Sequence, residues 1–358
     1  MIDISTLSDE QLKQALAPYN TSPYRVKQIR QWLARGVSSF DSMTDLPAAL
    51  RVQLSILFSL PATDTPTAAC IVRKGVSRDG TIKYLFEYPD GARVESVLMS
   101  YKHGLSQCLS TQAGCRMGCG FCATGRGGFR RDLTAPEMTA QIVAAQRDTG
   151  HRVSSLVLMG MGEPLDNYDN TLRFLRSLSG EPAHGGVPAV RIGMRHVSLS
   201  TCGLVDNIRR LQEEHFALTL SVSLHAPNDG LRSRLMPVTK KWPVDALLAA
   251  CGEYAGATGR RVSFEYALIA DFNDTDACAR QLAAKLRGYM DLPLCHVNLI
   301  PVNPVDGSPW QKSTRTRAFQ ALLEQAHIPV TVRRTLGADI AASCGQLRNA
   351  ECGMRNAE

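Results

Sequence analysis

Two spacings of apolar residues divide the chain. Over residues 7–60 they follow a helical period: Val26, Ile29, Trp32 and Leu33 recur on one side, with Arg25, Lys27, Arg30 and Gln31 between them. Leu46-Pro47 and Leu60-Pro61 interrupt the pattern. A small helical accessory domain over 1–65 is the expectation. The period then shortens. Ile82-Lys-Tyr-Leu-Phe-Glu-Tyr88 alternates imperfectly, Pro89-Asp-Gly91 signals a turn, and Arg93-Val-Glu-Ser-Val-Leu-Met99 supplies a return strand. Residues 66–105 therefore read as a β-hairpin extension.

From about residue 106 short apolar runs alternate with helical patterns. Strands are expected over 155–160, 197–200, 218–224, 262–268 and 296–300, with one more before Cys115, and helices over 136–149 and 244–257. Such alternation implies right-handed βαβ units around a parallel sheet, an α/β core over 106–348, with 349–358 as a tail.

Composition narrows the function only slightly. A net charge of +7 permits a polyanionic partner without requiring one. Eleven cysteines, with neither a basic start nor an apolar core segment in the first residues, predict a reducing, cytoplasmic setting. No apolar run approaches the ~18 residues of a membrane span, so no membrane partner is expected.

The chemistry enters at Cys115-Arg-Met-Gly-Cys119-Gly-Phe-Cys122, a C-x3-C-x2-C loop broken by glycine. Three thiolates can hold one face of a 4Fe-4S cube and leave one iron open to a ligand other than protein. The competing readings are zinc or chance clustering. Zinc favours four protein ligands in paired knuckles, and no second pair or nearby histidine follows. In parallel α/β folds sites gather at the carboxyl ends of strands. There stand Gly160-Met-Gly-Glu-Pro164, Ser223-Leu-His225 and Asn303.

The cysteine motif, with its aromatic before the last cysteine, is similar to the signature of radical S-adenosylmethionine (SAM) enzymes. Further segments resemble one branch, the RlmN/Cfr family of RNA adenine methyltransferases: Cys108-Leu-Ser-Thr-Gln-Ala-Gly-Cys115, Gly125-Arg-Gly-Gly-Phe129, Gly160-Met-Gly-Glu-Pro164, Ser198-Leu-Ser-Thr201, Ser221-Val-Ser-Leu-His225, Ile300-Pro-Val-Asn303 and Gly337-Ala-Asp-Ile-Ala-Ala-Ser-Cys-Gly-Gln-Leu347. The resemblance spans residues 24–347. It implies a partial (βα)6 barrel, a 4Fe-4S cluster on Cys115, Cys119 and Cys122, and two SAM molecules per turnover. It puts Gly162 and Glu163 near the SAM amino group, and Ser200, Ser223, Leu224, His225 and Asn303 around its ribose and adenine. Cys344 becomes the methyl carrier, Cys108 resolves a covalent protein–RNA adduct through a transient disulfide, and Glu95 takes the ring proton. The implied partners are 23S rRNA, tRNA, a one-electron donor and a dithiol reductant. The implied product is 2-methyladenine.

Adenine C2 lies between two ring nitrogens and is too electron-poor to attack a sulfonium, which is why a radical route is needed. Three alternatives stand beside this reading: a Cfr-type enzyme acting at adenine C8, a non-catalytic iron–sulfur RNA-binding regulator, and a radical SAM activase. The regulator would need neither Cys108 nor Cys344, and the activase would favour extra cluster motifs. Scattered basic residues, among them Arg130-Arg131, Arg209-Arg210, Arg232 and Arg333-Arg334, offer phosphate contacts but read more simply as solvated helix ends.

Overall fold

The computed structural model describes residues 2–4, 7–19, 22, 24–34, 37, 39–60, 69–179, 190–303, 305 and 307–348. The expected boundary near residue 65 and the tail 349–358 lie outside them.

The N-terminal region builds its own core. Helices α1 (Asp9–Leu16), α2 (Tyr24–Ala34) and α3 (Ala48–Leu57) are closed by two short parallel strands, β1 (Ile2–Asp3) and β2 (Phe58–Ser59). The helical stripe read from the sequence is the buried one: Val26, Ile29 and Leu33 join Ile4, Leu12, Leu16, Phe40, Leu50, Leu54 and Phe58 in a cluster separate from the main core.

The main sheet begins antiparallel. Strands β3 (Cys70–Val76), β4 (Ile82–Glu87), β5 (Arg93–Tyr101) and β6 (Gly104–Cys108) form a meander. The hairpin is thus β4–β5, with β3 as an added outer strand. A small ribbon of β7 (Gln112–Gly114) and β8 (Phe129–Asp132) brackets the cysteine loop and the short helix α4 (Ala123–Arg126).

Parallel βα units follow: α5 (Ala135–Thr149), β9 (Val153–Leu158), α6 (Tyr168–Ser179), β10 (Val197–Thr201), α7 (Val205–Glu213), β11 (Thr219–Ser223), α8 (Asp229–Leu235), α9 (Val244–Thr258), β12 (Val262–Leu268), α10 (Asp276–Tyr289), β13 (Cys295–Pro301), α11 (Thr316–Gln325) and β14 (Val330–Val332). The spatial order is β14-β13-β12-β11-β10-β9-β6-β5-β4-β3, with every pair from β6 to β14 parallel. The sheet has two free edges and is therefore an open barrel.

Local chemistry accounts for the element ends. Thr134 and Glu137 close a reciprocal capping box on α5, and Gly150 terminates it in the left-handed region at φ 69°. β12 is buried along its whole length, as a central parallel strand covered on both faces must be.

Two differences from the sequence reading bear on the site. The strand expected over 155–160 ends at Leu158, because Gly160 N–H leaves the ladder to bond Leu109 C=O at 2.9 Å. β14 was not anticipated; three residues after Pro329 carry too little periodicity to read.

Candidate active site at the carboxyl ends of the parallel strands

A cavity opens at these strand ends. Cys115, Cys119, Cys122, Gly162, Glu163, Ser200, Ser223, His225, Asn303 and Cys344 all line it. Leu224, Glu95 and Cys108 do not. The Leu224 side chain is fully buried behind the wall, and the residue contributes through its backbone, donating to Glu265 C=O at 3.1 Å and accepting from Arg232 Nε at 3.1 Å.

The cysteine loop is pinned at several points. Gly118 takes φ +64°, which lets the chain turn between Cys115 and Cys119. Gly120 N–H bonds Leu235 C=O at the end of α8 (2.9 Å), and Phe121 meets the His225 ring edge-on at 4.8 Å. Burial pushes the Cys115 thiol up to about 12 and raises Cys119 as well; the charges of neighbouring cysteines add to both shifts. Among the described residues no three His, Cys, Asp or Glu side chains converge closely enough to hold a single metal ion. A four-iron cube sets a wider condition, since each thiolate meets a different iron.

Opposite this loop stands the turn after β9. Gly162 has φ +100°, and a Cβ there would meet Gln112 Cβ at 2.5 Å, so only glycine fits. Gln112 in turn accepts from Glu163 N–H at 2.9 Å. The Glu163 carboxylate accepts from Leu165 N–H (3.0 Å) and Cys202 N–H (2.7 Å), tying the β9 turn to the end of β10. Burial raises its pKa, and those N–H donors oppose the rise. The Thr201 and Cys202 side chains also hydrogen-bond the carboxylate.

His225 is buried in the left-handed region at φ 57°. Its Nδ1 accepts from Ala267 N–H at 2.9 Å, so the neutral ring carries its proton on Nε2. Burial, with the Arg232 charge adding, lowers its pKa to about 3. Asn303 Nδ2 donates to Cys344 C=O at 3.0 Å, so one residue of this group also touches the segment bearing Cys344.

That segment is held from two sides. On the extension, Asp79 accepts from Gly337 N–H (2.9 Å), Ser77 Oγ donates to Asp339 (2.5 Å), Lys83 Nζ donates to Ala341 C=O (3.0 Å), and Glu95 accepts from Arg348 N–H (2.8 Å). On the cysteine loop, Ala123 N–H bonds Gly345 C=O (2.8 Å) and Thr124 Oγ1 bonds Leu347 C=O (2.5 Å).

Glu95 and Lys83 form a buried ion pair at 2.8 Å. Burial raises the Glu95 pKa; the Lys83 charge and hydrogen bond and the Arg348 N–H hold it down. Cys108 and Cys344, far apart in sequence, become electrostatic neighbours, and both are free thiols. Burial pushes Cys108 up to about 12, the Cys344 charge adds to this, and Arg333 opposes it.

Several of these residues escaped the sequence reading. Arg333, taken there for half of a solvated basic pair, lies in the site: its Nη1 is 3.9 Å from the Glu265 carboxylate, and both side chains line the cavity. Arg232 is completely buried. Arg130 and Arg131 are bound to Asp90 and its neighbour Gly91, and Arg209 to Glu253. Lys83 had no signal, since its partners lie on other elements, and Gln112 was marked only by its place in the Cys108–Cys115 motif, not by a role.

An open parallel barrel with a three-cysteine loop over the strand ends defines the radical SAM class, and residues 109–279 match the radical SAM superfamily. Residues 2–59 match the ribosomal RNA large subunit methyltransferase N-terminal domain. Along nearly its whole length the chain is similar to probable dual-specificity RNA methyltransferases RlmN. It is 44% identical to that of Clostridium tetani over 97% of this chain and 96% of the relative, and 47% identical to that of Pelotomaculum thermopropionicum over 97% and 91%. A crystal structure of a radical SAM methyltransferase from Sphaerobacter thermophilus superposes with a TM-score of 0.77 at 45% identity, covering 97% of this chain and 99% of that one. The chain belongs to the RlmN family of radical SAM RNA methyltransferases. Enzymes of this class use a 4Fe-4S cluster and SAM, and the donor set on the cavity wall, three cysteines facing a glycine turn and a buried carboxylate, suits both.

Proposed function

We propose that this enzyme forms 2-methyladenine in 23S rRNA and in tRNA, with Cys344 as methyl carrier and Cys108 as resolving thiol. The observation that supports the reading is that Cys344 lines the cavity with Cys115, Cys119 and Cys122 while its charge raises the buried Cys108 thiol. When bound, the cluster supplies one electron for cleavage of SAM, and SAM supplies both the methyl group and the hydrogen-abstracting radical.

The chain's own residues do the rest. Cys344 accepts the methyl group on sulfur as a thiolate. The S-methyl carbon of Cys344 gives one hydrogen atom to the SAM-derived radical and then bonds to the adenine ring, and the odd electron of the adduct leaves to the one-electron redox partner. Glu95 takes the proton from the ring carbon, and the Cys108 thiolate attacks the Cys344 sulfur, so that the S–C bond to the product breaks as the S–S bond forms and the released carbon takes up a proton to become the methyl group. A dithiol reductant restores both thiols, and a low-potential protein serves as electron donor, all in the cytoplasm. Glu95 is sealed by its bonds to Lys83 and Arg348 N–H, so this role requires the 344–348 segment to lift from it.

Nucleoside mass spectrometry of RNA from a deletion strain tests the assignment directly: 2-methyladenine should vanish from 23S rRNA and tRNA. Loss of 8-methyladenine instead would move the chemistry to C8. For the cluster, anaerobically purified protein should contain iron and sulfide with a 4Fe-4S Mössbauer signature, and Cys115→Ala, Cys119→Ala or Cys122→Ala should each abolish SAM cleavage. Stoichiometric zinc without iron would overturn the ligand assignment. Gly162→Ala must shift the Gln112 backbone that it strikes, and should weaken SAM binding by roughly tenfold or more, about 1.4 kcal/mol, as read by calorimetry.

A further inference from the structure

Arg232 is an anomaly in charge. Its side chain has no solvent exposure. It donates to Cys202 C=O (2.6 Å), Ser223 C=O (3.0 Å), Leu224 C=O (3.1 Å) and Thr239 Oγ1 (3.0 Å), all of them neutral acceptors. No carboxylate among the described residues lies within ion-pair distance of it. Asp229, on the same helix, caps Val244 N–H. Glu163 is bound across Cys202, and His225 is neutral. A buried guanidinium with no anion is costly, and such charges are normally paired. Its helix touches the cysteine loop directly through the Gly120–Leu235 hydrogen bond, and Cys202, to which it bonds, lines the same cavity as Cys119. A cube carried by three thiolates is a net anion, and it becomes more negative on reduction.

We propose that Arg232 is the built-in counter-charge of the cluster: its fixed cation raises the cluster's reduction potential, while its planar fork locks the ends of β10 and β11 that wall the cavity. It acts through the field and through the backbone, as a positioning residue. The redox step is a single electron passing from a low-potential donor to the cube, with no bond made or broken; a nearby cation stabilises the reduced, more negative form. The inference rests on the cysteine assignment made above.

The test is an anaerobic potentiometric titration of the purified holoenzyme with sodium dithionite and mediators, read by EPR without SAM. Arg232→Gln should lower the reduced-to-oxidised ratio at a given potential about tenfold, a shift of about 59 mV for one electron. Arg232→Lys, which keeps the charge and loses the fork, should stay near wild type. Thr239→Asp keeps Arg232 and sets a carboxylate against its Nη1. It should give the same downward shift as Arg232→Gln while supplying the missing ion-pair partner, so it remains decisive if an Arg232 variant does not fold. A purely structural role would alter yield or melting temperature in Arg232→Lys and Arg232→Gln alike, without moving the potential. Wild-type potentials in both Arg232→Gln and Thr239→Asp overturn the inference and leave the cysteine assignment standing; wild-type protein without iron overturns both.

Discussion

Cys108→Ala should accumulate protein joined covalently to RNA through Cys344, visible on denaturing gels as slow bands that disappear with nuclease. The expectation follows from where the resolving step must occur. Once the carrier carbon bridges the Cys344 sulfur and the adenine, release needs a thiolate at that sulfur. Cys108 is buried at the end of β6, its carbonyl held by Ser96 Oγ at 2.8 Å, and it is the thiol that shares an electrostatic environment with Cys344. Burial raises its pKa, and the Arg333 charge opposes the rise. Without that thiolate the adduct should persist through purification. Turnover should fall on the order of 10³-fold or more, as when other covalent-catalysis groups are removed. Cys344→Ala should give neither adduct nor product. Free Cys108→Ala protein with unmodified RNA would remove Cys108 from this role.

The parts of this arrangement that could be read from the chain are those that carry a local pattern. β12 announces itself as an apolar run because it is buried along its whole length, β10 and β13 show as alternating patterns with every second residue buried, and the α2 stripe is legible because Val26, Ile29 and Leu33 recur at helical spacing. The cysteine loop is legible because its three cysteines lie close together in sequence. What could not be read is whatever depends on a partner elsewhere. Glu95 is one carboxylate on one strand until Lys83 arrives beside it from β4. Arg232 and Arg333 have the sequence context of solvated basic residues; the burial of Arg232 and the placement of half-buried Arg333 are set by carbonyls and a carboxylate from β11, β12 and the turn after β10. The docking of Cys344 depends on contacts at residues 77, 79, 83 and 95, and none of these positions carries a recognisable spacing relative to it. Leu224 shows the opposite limit. The motif resemblance marks its position, while its side chain is buried behind the cavity wall.

Lys83→Met should move the acidic limb of the kcat/KM profile to higher pH, while Glu95→Gln should be slow at every pH. Glu95 must be ionised to accept the adenine proton. Burial raises its pKa, and the Lys83 charge is the largest influence holding it down. Removing that charge leaves burial less opposed, so the folded-state pKa rises further and the ionised fraction falls at any pH below it, tenfold for each unit of rise. Activity lost at neutral pH should therefore return as pH increases, which a mispositioned side chain would not produce. Lys83 also holds Ala341 C=O, and breaking a buried pair by removing one partner costs roughly 3–5 kcal/mol, so a lowered melting temperature is expected alongside. The pH profile separates the two effects: a Lys83→Met profile parallel to wild type would confine Lys83 to docking the Cys344 segment. RNA carrying adenine deuterated at C2 then follows the proton itself. In wild type the deuteron should leave the ring, and in Glu95→Gln its loss should become rate-limiting while Cys344 methylation proceeds normally. Normal turnover by Glu95→Gln would assign the base to another residue, and retention of the deuteron in methylated product would move the reaction to C8.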